Sequence, residues 1–167
     1  MDTPSIAIDA ALLDVDGSCR DMNFDRATWA GVRSLLDQAR REFGDVRVGC
    51  TSHDTNEVQV EDVQGAIDLV EREGGCVQLL LDGGSSVLTN LQIFASCAPS
   101  EPLFVELSFF PEDVIPKLSP HAGFIAWADA ISKILGATRY FVRYENASWT
   151  FGVGAQSGVF LVRAPAG

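Results

Sequence analysis

Asp14 and Asp16, two residues apart in Leu12-Leu13-Asp14-Val15-Asp16-Gly17-Ser18, are the residues whose types and spacing come nearest to a chemical site in this 167-residue chain. Paired carboxylates of this kind serve as nucleophile and as acid or base. They serve equally as polar strand-end residues that pair with Arg20 or cap backbone amides. Cys50-Thr51-Ser52 ends another apolar stretch with hydroxyls, and His53 and His121 are the two histidines, far apart and without the spacing of a mixed His/Cys metal centre. Gly83-Gly84-Ser85-Ser86 leads towards a strand instead of a helix N-terminus, which suits a turn better than a phosphate cradle. No nucleophile elbow GxSxG and no Walker loop occur. The sequon Asn146-Ala147-Ser148 stands without secretory context. Tyr144 and Trp149, beside Arg143, read either as core plugs that reach a polar partner with one edge or as anchors of a protein interface.

These residues must be positioned by a regular scaffold. Ser5 to Val15 is apolar enough for a first strand, with Gly17 as turn residue. Trp29, Val32, Leu35, Leu36, Ala39 and Phe43 keep helical spacing, predicting a helix from about Thr28 to Phe43 that Gly44 stops. Val46 to Cys50 is a short strand, Glu61 to Glu73 a second helix ended by Gly74-Gly75, and Val77 to Leu81 a buried strand. Alternation in 91–96 and 103–110 predicts a hairpin around Pro99-Ser100-Glu101-Pro102. Ser119 as N-cap, Pro120 and Gly136 bound a third helix, and Arg139 to Glu145 and Gly158 to Arg163 are the last strands. Adjacent strands without intervening helices imply antiparallel pairing. The expected architecture is one α+β domain, a mixed and mostly antiparallel sheet with about three helices packed on it.

Composition bounds the function. With 47% hydrophobic and 21% charged residues the chain has the material for a packed core, not for a disordered acidic tail. Twelve Lys+Arg against 23 Asp+Glu give a net charge of −11, which argues against nucleic acid or anionic membrane as partner and favours a basic one. Met1 to Ala10 holds two acids and no base, unlike a secretory signal, so a cytoplasmic protein is expected. Cys19, Cys50, Cys76 and Cys97 form no CxxC pair and read as free thiols. No metal or cofactor is expected. Residues 1–82 hold 17 acids and 7 bases, whereas residues 83–167 hold 6 and 5. Between Arg47 and Arg72 lie Asp54, Glu57, Glu61, Asp62, Asp68 and Glu71 with no base. Such a run is either a solvated helix face or a negative patch that steers a basic partner.

Two resemblances attach to these residues. An apolar stretch ending in Asp14-Val15-Asp16-Gly17-Ser18 resembles the first motif of the haloacid-dehalogenase-like phosphatases. That resemblance implies Asp14 as nucleophile, Asp16 as acid/base and a bridging Mg²⁺. The chain departs from it elsewhere: its lysines are Lys117 and Lys133, and Asp82 is a single acid where a pair should stand. Separately, Leu13 to Phe24, Phe104 to Glu112 and Arg143-Tyr144-Glu145-Asn146-Ala147-Ser148-Trp149 resemble segments of small acidic bacterial immunity proteins of polymorphic and type VI secreted toxin systems, over about a fifth of the chain. This second resemblance implies a non-enzymatic protein that binds and occludes a cognate toxin. The expected contact residues are Asp14, Asp16 and Asp21, or Asp54, Glu57, Glu61 and Asp62, with Tyr144 and Trp149 as desolvated anchors.

Overall fold

The computed structural model describes residues 5–53, 56–58, 62–98, 101–115, 120–147 and 158–164. Its elements are α1 (Ser5–Leu13), β1 (Arg20–Asp25), α2 (Trp29–Glu42), β2 (Asp45–His53), β3 (Asn56–Val58), α3 (Val63–Glu73), β4 (Gly75–Asp82), β5 (Leu91–Cys97), β6 (Phe104–Phe109), a 3-10 turn (Pro111–Asp113), α4 (Pro120–Leu135), β7 (Arg139–Tyr144) and β8 (Val159–Arg163). The strands form one eight-stranded sheet in the order β3-β2-β4-β5-β6-β1-β7-β8. All seven pairings are antiparallel. The α+β class is as the sequence indicates.

The segment Ser5 to Val15 is corrected from strand to helix. Its buried side chains are Ile8, Ala11 and Leu12, spaced as one helical face, while Ala7, Ala10 and Leu13 are exposed. Asp9 ties this helix to α4, accepting from the His121 N–H at 2.8 Å and facing His121 Nδ1 at 2.9 Å. The first-turn amides of α4 thus gain a carboxylate from another helix. Strand β1 is an element to which the sequence reading assigns nothing: Arg-Asp-Met-Asn-Phe-Asp has no strand signature, yet it lies between β6 and β7 in the sheet.

The other helices follow local rules. Thr28 caps α2 by accepting from the Gly31 N–H at 3.0 Å, and Asp62 caps α3 by accepting from Gln64 and Gly65. The helix α4 ends with Gly136 at φ 69 and the paired bonds Gly136 N–H to Lys133 and Ala137 N–H to Ser132. Ser119 and the turn residues Pro99-Ser100 lie outside the described residues.

One hydrophobic core joins the helices to one face of the sheet. Met22, Phe24, Leu79, Ile93, Leu107 and Val142 meet Leu12, Leu36, Ile67, Phe124 and Leu135 there. The alternating neighbours Asn23, Gln78, Gln92, Phe94, Glu106 and Arg143 fall on the second face, in register across the strands. No described helix is long and apolar enough to cross a membrane.

Candidate functional site

The loop 14–19 between α1 and β1 carries the Asp14/Asp16 motif, and a single side chain holds it. Arg20 is fully buried. Its Nε donates to the Ala11 carbonyl at 2.7 Å and its second terminal nitrogen to the Asp14 carbonyl at 2.6 Å. The Ala11 carbonyl is one that the end of α1 leaves without an intrahelical partner, and the Asp14 carbonyl also accepts from the Asp16 N–H at 3.1 Å. The other terminal nitrogen reaches the Asp16 carboxylate at 3.1 Å and the Ser18 carbonyl at 3.0 Å. Asp16 in turn accepts from the Ser18 N–H at 3.0 Å and the Ser18 hydroxyl at 2.7 Å. The Ser18 amide and hydroxyl, helped by Arg20, hold its carboxyl at about 2. Gly17 adopts φ 83, in the left-handed region that favours glycine.

Tyr144 completes this clamp from β7. Its ring lies 4.4 Å from the Arg20 guanidinium carbon and 5.4 Å edge-on from the Phe160 ring. Glu145 closes the other side: its carboxylate accepts from the Cys19 N–H at 3.3 Å and its own N–H donates to the Cys19 carbonyl at 3.1 Å. Burial, with Glu145 and Asp21 nearby, pushes the Cys19 thiol up to about 11, so it is no activated nucleophile.

Asp21 points the opposite way, onto the second face. It is buried, accepts from the Ser108 hydroxyl and pairs with Arg143 at 2.9 Å. Arg143 also reaches Glu106 at 3.0 Å and donates to the Asn23 side-chain oxygen at 3.0 Å, while the Asn23 amide donates to Glu106 at 2.7 Å. Burial raises the Asp21 pKa above the usual carboxylate value against the pull of Ser108 and Arg143. The polar pattern of β1 is thereby explained: Asp21 and Asn23 find their partners on β6 and β7, and Arg20 finds its hydrogen-bond acceptors on α1 and the loop 14–19.

The acids of α3 lie elsewhere. Strand β3, which holds Glu57 opposite Ser52, is five strands from β1, about 24 Å at ordinary strand spacing. Asp62 is spent on its cap, and Arg33 of α2 binds both Asp68, at 2.8 Å, and Glu71. Bonding to Arg33 lowers the Asp68 pKa.

Two clefts among the described residues flank this architecture. One of about 300 Å³ lies at the end of the sheet where β1 begins, with Arg47, Asn90, Gln92, Ser108, Phe110 and Asp113 in its wall. The other, of about 400 Å³, lies between the start of α2, the end of α3 and the β5–β6 connection. Its wall includes Trp29, Glu71, Arg72 and Glu101, and also Cys97, whose thiol burial pushes up. Among the described residues no three His, Cys, Asp or Glu side chains gather as a metal site.

A solved structure shares this fold. One chain of the 1.75 Å crystal structure of the toxic C-terminal tip of CdiA from Pseudomonas aeruginosa, in complex with immune protein, matches with a TM-score of 0.56 at 15% identity. The match covers 90% of this chain and 97% of that one. No protein-family model and no curated protein matches the chain.

The structure therefore gathers some of the expected residues and separates others. Asp14, Asp16 and Tyr144 meet around Arg20, Asp21 turns to the opposite face, and Asp62 stands apart on α3. Asp54, Glu61 and Trp149 lie outside the described residues, as does the Glu57 side chain. The phosphatase motif needs its carboxylates at the end of a strand, and they follow a helix instead. Arg20 and Arg143, which are not among the expected contact residues, organise the region. Arg20 carries a signal in the sequence, an arginine beside an acid inside a strand, a pattern that requires a partner whenever the strand is central.

Proposed function

We propose that this protein is an immunity protein, which binds a cognate toxin domain and neutralises it by occlusion, without catalysis of its own. The observation that carries this reading is the shared fold, over nearly the whole of both chains, with a chain from a complex of a CdiA toxin tip and immune protein. Fold alone does not fix function. The acidic charge adds a physical reason, because a net −11 favours association with a basic partner. The clamp on loop 14–19 adds another: Asp14 and Asp16 sit on a prebuilt acidic tip, with Asp16 already bonded within it. The toxin is read as basic, delivered by a contact-dependent or type VI route, and met in the cytoplasm.

The test is growth. The toxin domain encoded beside this gene is induced in a sensitive host with and without the protein. Arrest that the protein relieves supports the reading. A neighbouring product that is harmless alone contradicts it, and so does a chain that is itself toxic when expressed singly.

A further inference from the structure

The side chains of four large hydrophobic residues are exposed among the described residues: Leu13, Val15, Phe110 and Val162. Scattered singly, such residues need no explanation. Three of them lie at one end of the sheet. Leu13 and Val15 sit on the tip that leads into β1, and Arg20, at the start of β1, pairs in register with Phe109 at the end of β6. Phe110 is therefore carried to the same end of the sheet as the tip. Val15 is 62% exposed and Phe110 41%.

The backbone bearing these side chains is fixed. Arg20 holds the tip through the Ala11, Asp14 and Ser18 carbonyls. Asp113 holds the Phe110 turn, accepting from the Phe110 N–H at 3.3 Å, from the Thr89 hydroxyl at 2.8 Å and from the Asn90 amide at 2.6 Å. Beside Phe110 opens the cleft of about 300 Å³. The exposed acids around the apolar residues are Asp14, Asp16, Glu112 and Glu145, and the exposed cation in the cleft wall, Arg47, is paired with Asp82 at 2.7 Å. A rigid apolar centre with an acidic rim has the anatomy of an interface whose partner is basic at its edge. Rigidity lowers the ordering cost of binding.

Resting on the immunity reading, we infer that this end of the sheet is the toxin-docking surface, with Val15, Leu13 and Phe110 as its apolar anchors, Asp14 in its rim and Arg20 as the positioning residue. The partner it fits is a protein surface with an apolar hollow edged by Lys and Arg. This assigns the anchoring to the tip and the Phe110 turn in place of Tyr144, which is engaged with Arg20 and Phe160.

The experiment is surface plasmon resonance with the purified toxin domain encoded by the adjacent gene as probe. Val15→Asp and Phe110→Ser, both at exposed positions, each weaken binding by about 30-fold or more, the loss expected of an interface anchor. Asp14→Lys slows association, whereas Glu101→Lys, the same charge change at the opposite end of β6, leaves the affinity within about twofold. Circular dichroism melts of the four variants match the wild type. Wild-type affinity in Val15→Asp and Phe110→Ser overturns the proposal and leaves the immunity reading standing, as does an equal effect of Asp14→Lys and Glu101→Lys. So does a dimer of this chain that Val15→Asp abolishes while toxin binding is kept. Absence of binding by the wild type overturns both.

Discussion

Arg20 and Tyr144 are cross-strand neighbours on β1 and β7, and the guanidinium carbon lies 4.4 Å from the centre of the tyrosine ring. The pair explains how a central strand tolerates a buried cation. The ring covers one face of the guanidinium while the end of α1 and the loop 14–19 take up its hydrogen-bond donors.

Arg20→Met keeps the apolar stem, leaves the Ala11 carbonyl without its donor and the Asp14 carbonyl with the Asp16 N–H alone. The expected cost is about 3 kcal/mol, measured by urea unfolding, because buried acceptors lose charged partners. A change below about 0.5 kcal/mol contradicts the clamp.

The second face makes a parallel prediction. Arg143→Met leaves Asp21 and Glu106 facing each other with their shared cation gone, which costs about 3 to 5 kcal/mol. Adding Asp21→Asn to that variant restores part of the loss, since it removes one of the two uncompensated charges. Strict additivity of the two changes in a double-mutant cycle contradicts the network.

Gly31 is where α2 crosses α4. A Cβ there would lie 2.5 Å from the Leu135 Cα and carbonyl oxygen. Gly31→Ala, favourable in an isolated helix, here lowers stability by about 2 to 3 kcal/mol. The melting temperature falls by about 5 to 10 °C. An unchanged melt places the two helices further apart.

Acid titration separates the two aspartates. The carboxyl of Asp16 is held below its ordinary value, so its contribution is present above the ordinary carboxylate range and lost as pH falls from about 4 to about 2. Asp21 is raised, so its contribution has the opposite sign and declines as pH rises through the ordinary carboxylate range. Unfolding measured across that range shows a smaller acid loss in Asp16→Asn than in the wild type. Parallel curves contradict the assignment.

Much of the architecture is legible in the sequence where one face is buried and the other is not. The period of α2 and α3, and the alternation of β5 and β6, come from that contrast. The helix α1 lacks it: Ile6, Ala7, Ile8, Ala10, Ala11, Leu12 and Leu13 are apolar nearly all round, so a strand reading was as consistent as a helical one. In β1 the contrast is inverted, because Asp21 and Asn23 are buried through ion pairs and hydrogen bonds with residues that the sequence places far away, and Arg20 through bonds to the end of α1 and the loop just before it. The short β3 is too brief for any period. The Asp14/Asp16 motif was visible, with pairing to Arg20 as one of its two readings. The gathering of Leu13, Val15 and Phe110 was not, because it depends on the register of β1 with β6.

Isothermal titration of the purified protein with the purified toxin domain of the adjacent gene tests the central claim most directly. The account predicts a one-to-one complex with a dissociation constant of about 10⁻⁹ M or tighter, the range of specific interfaces of standard size. Absence of heat at micromolar concentrations, with both proteins folded and the toxin active, contradicts it.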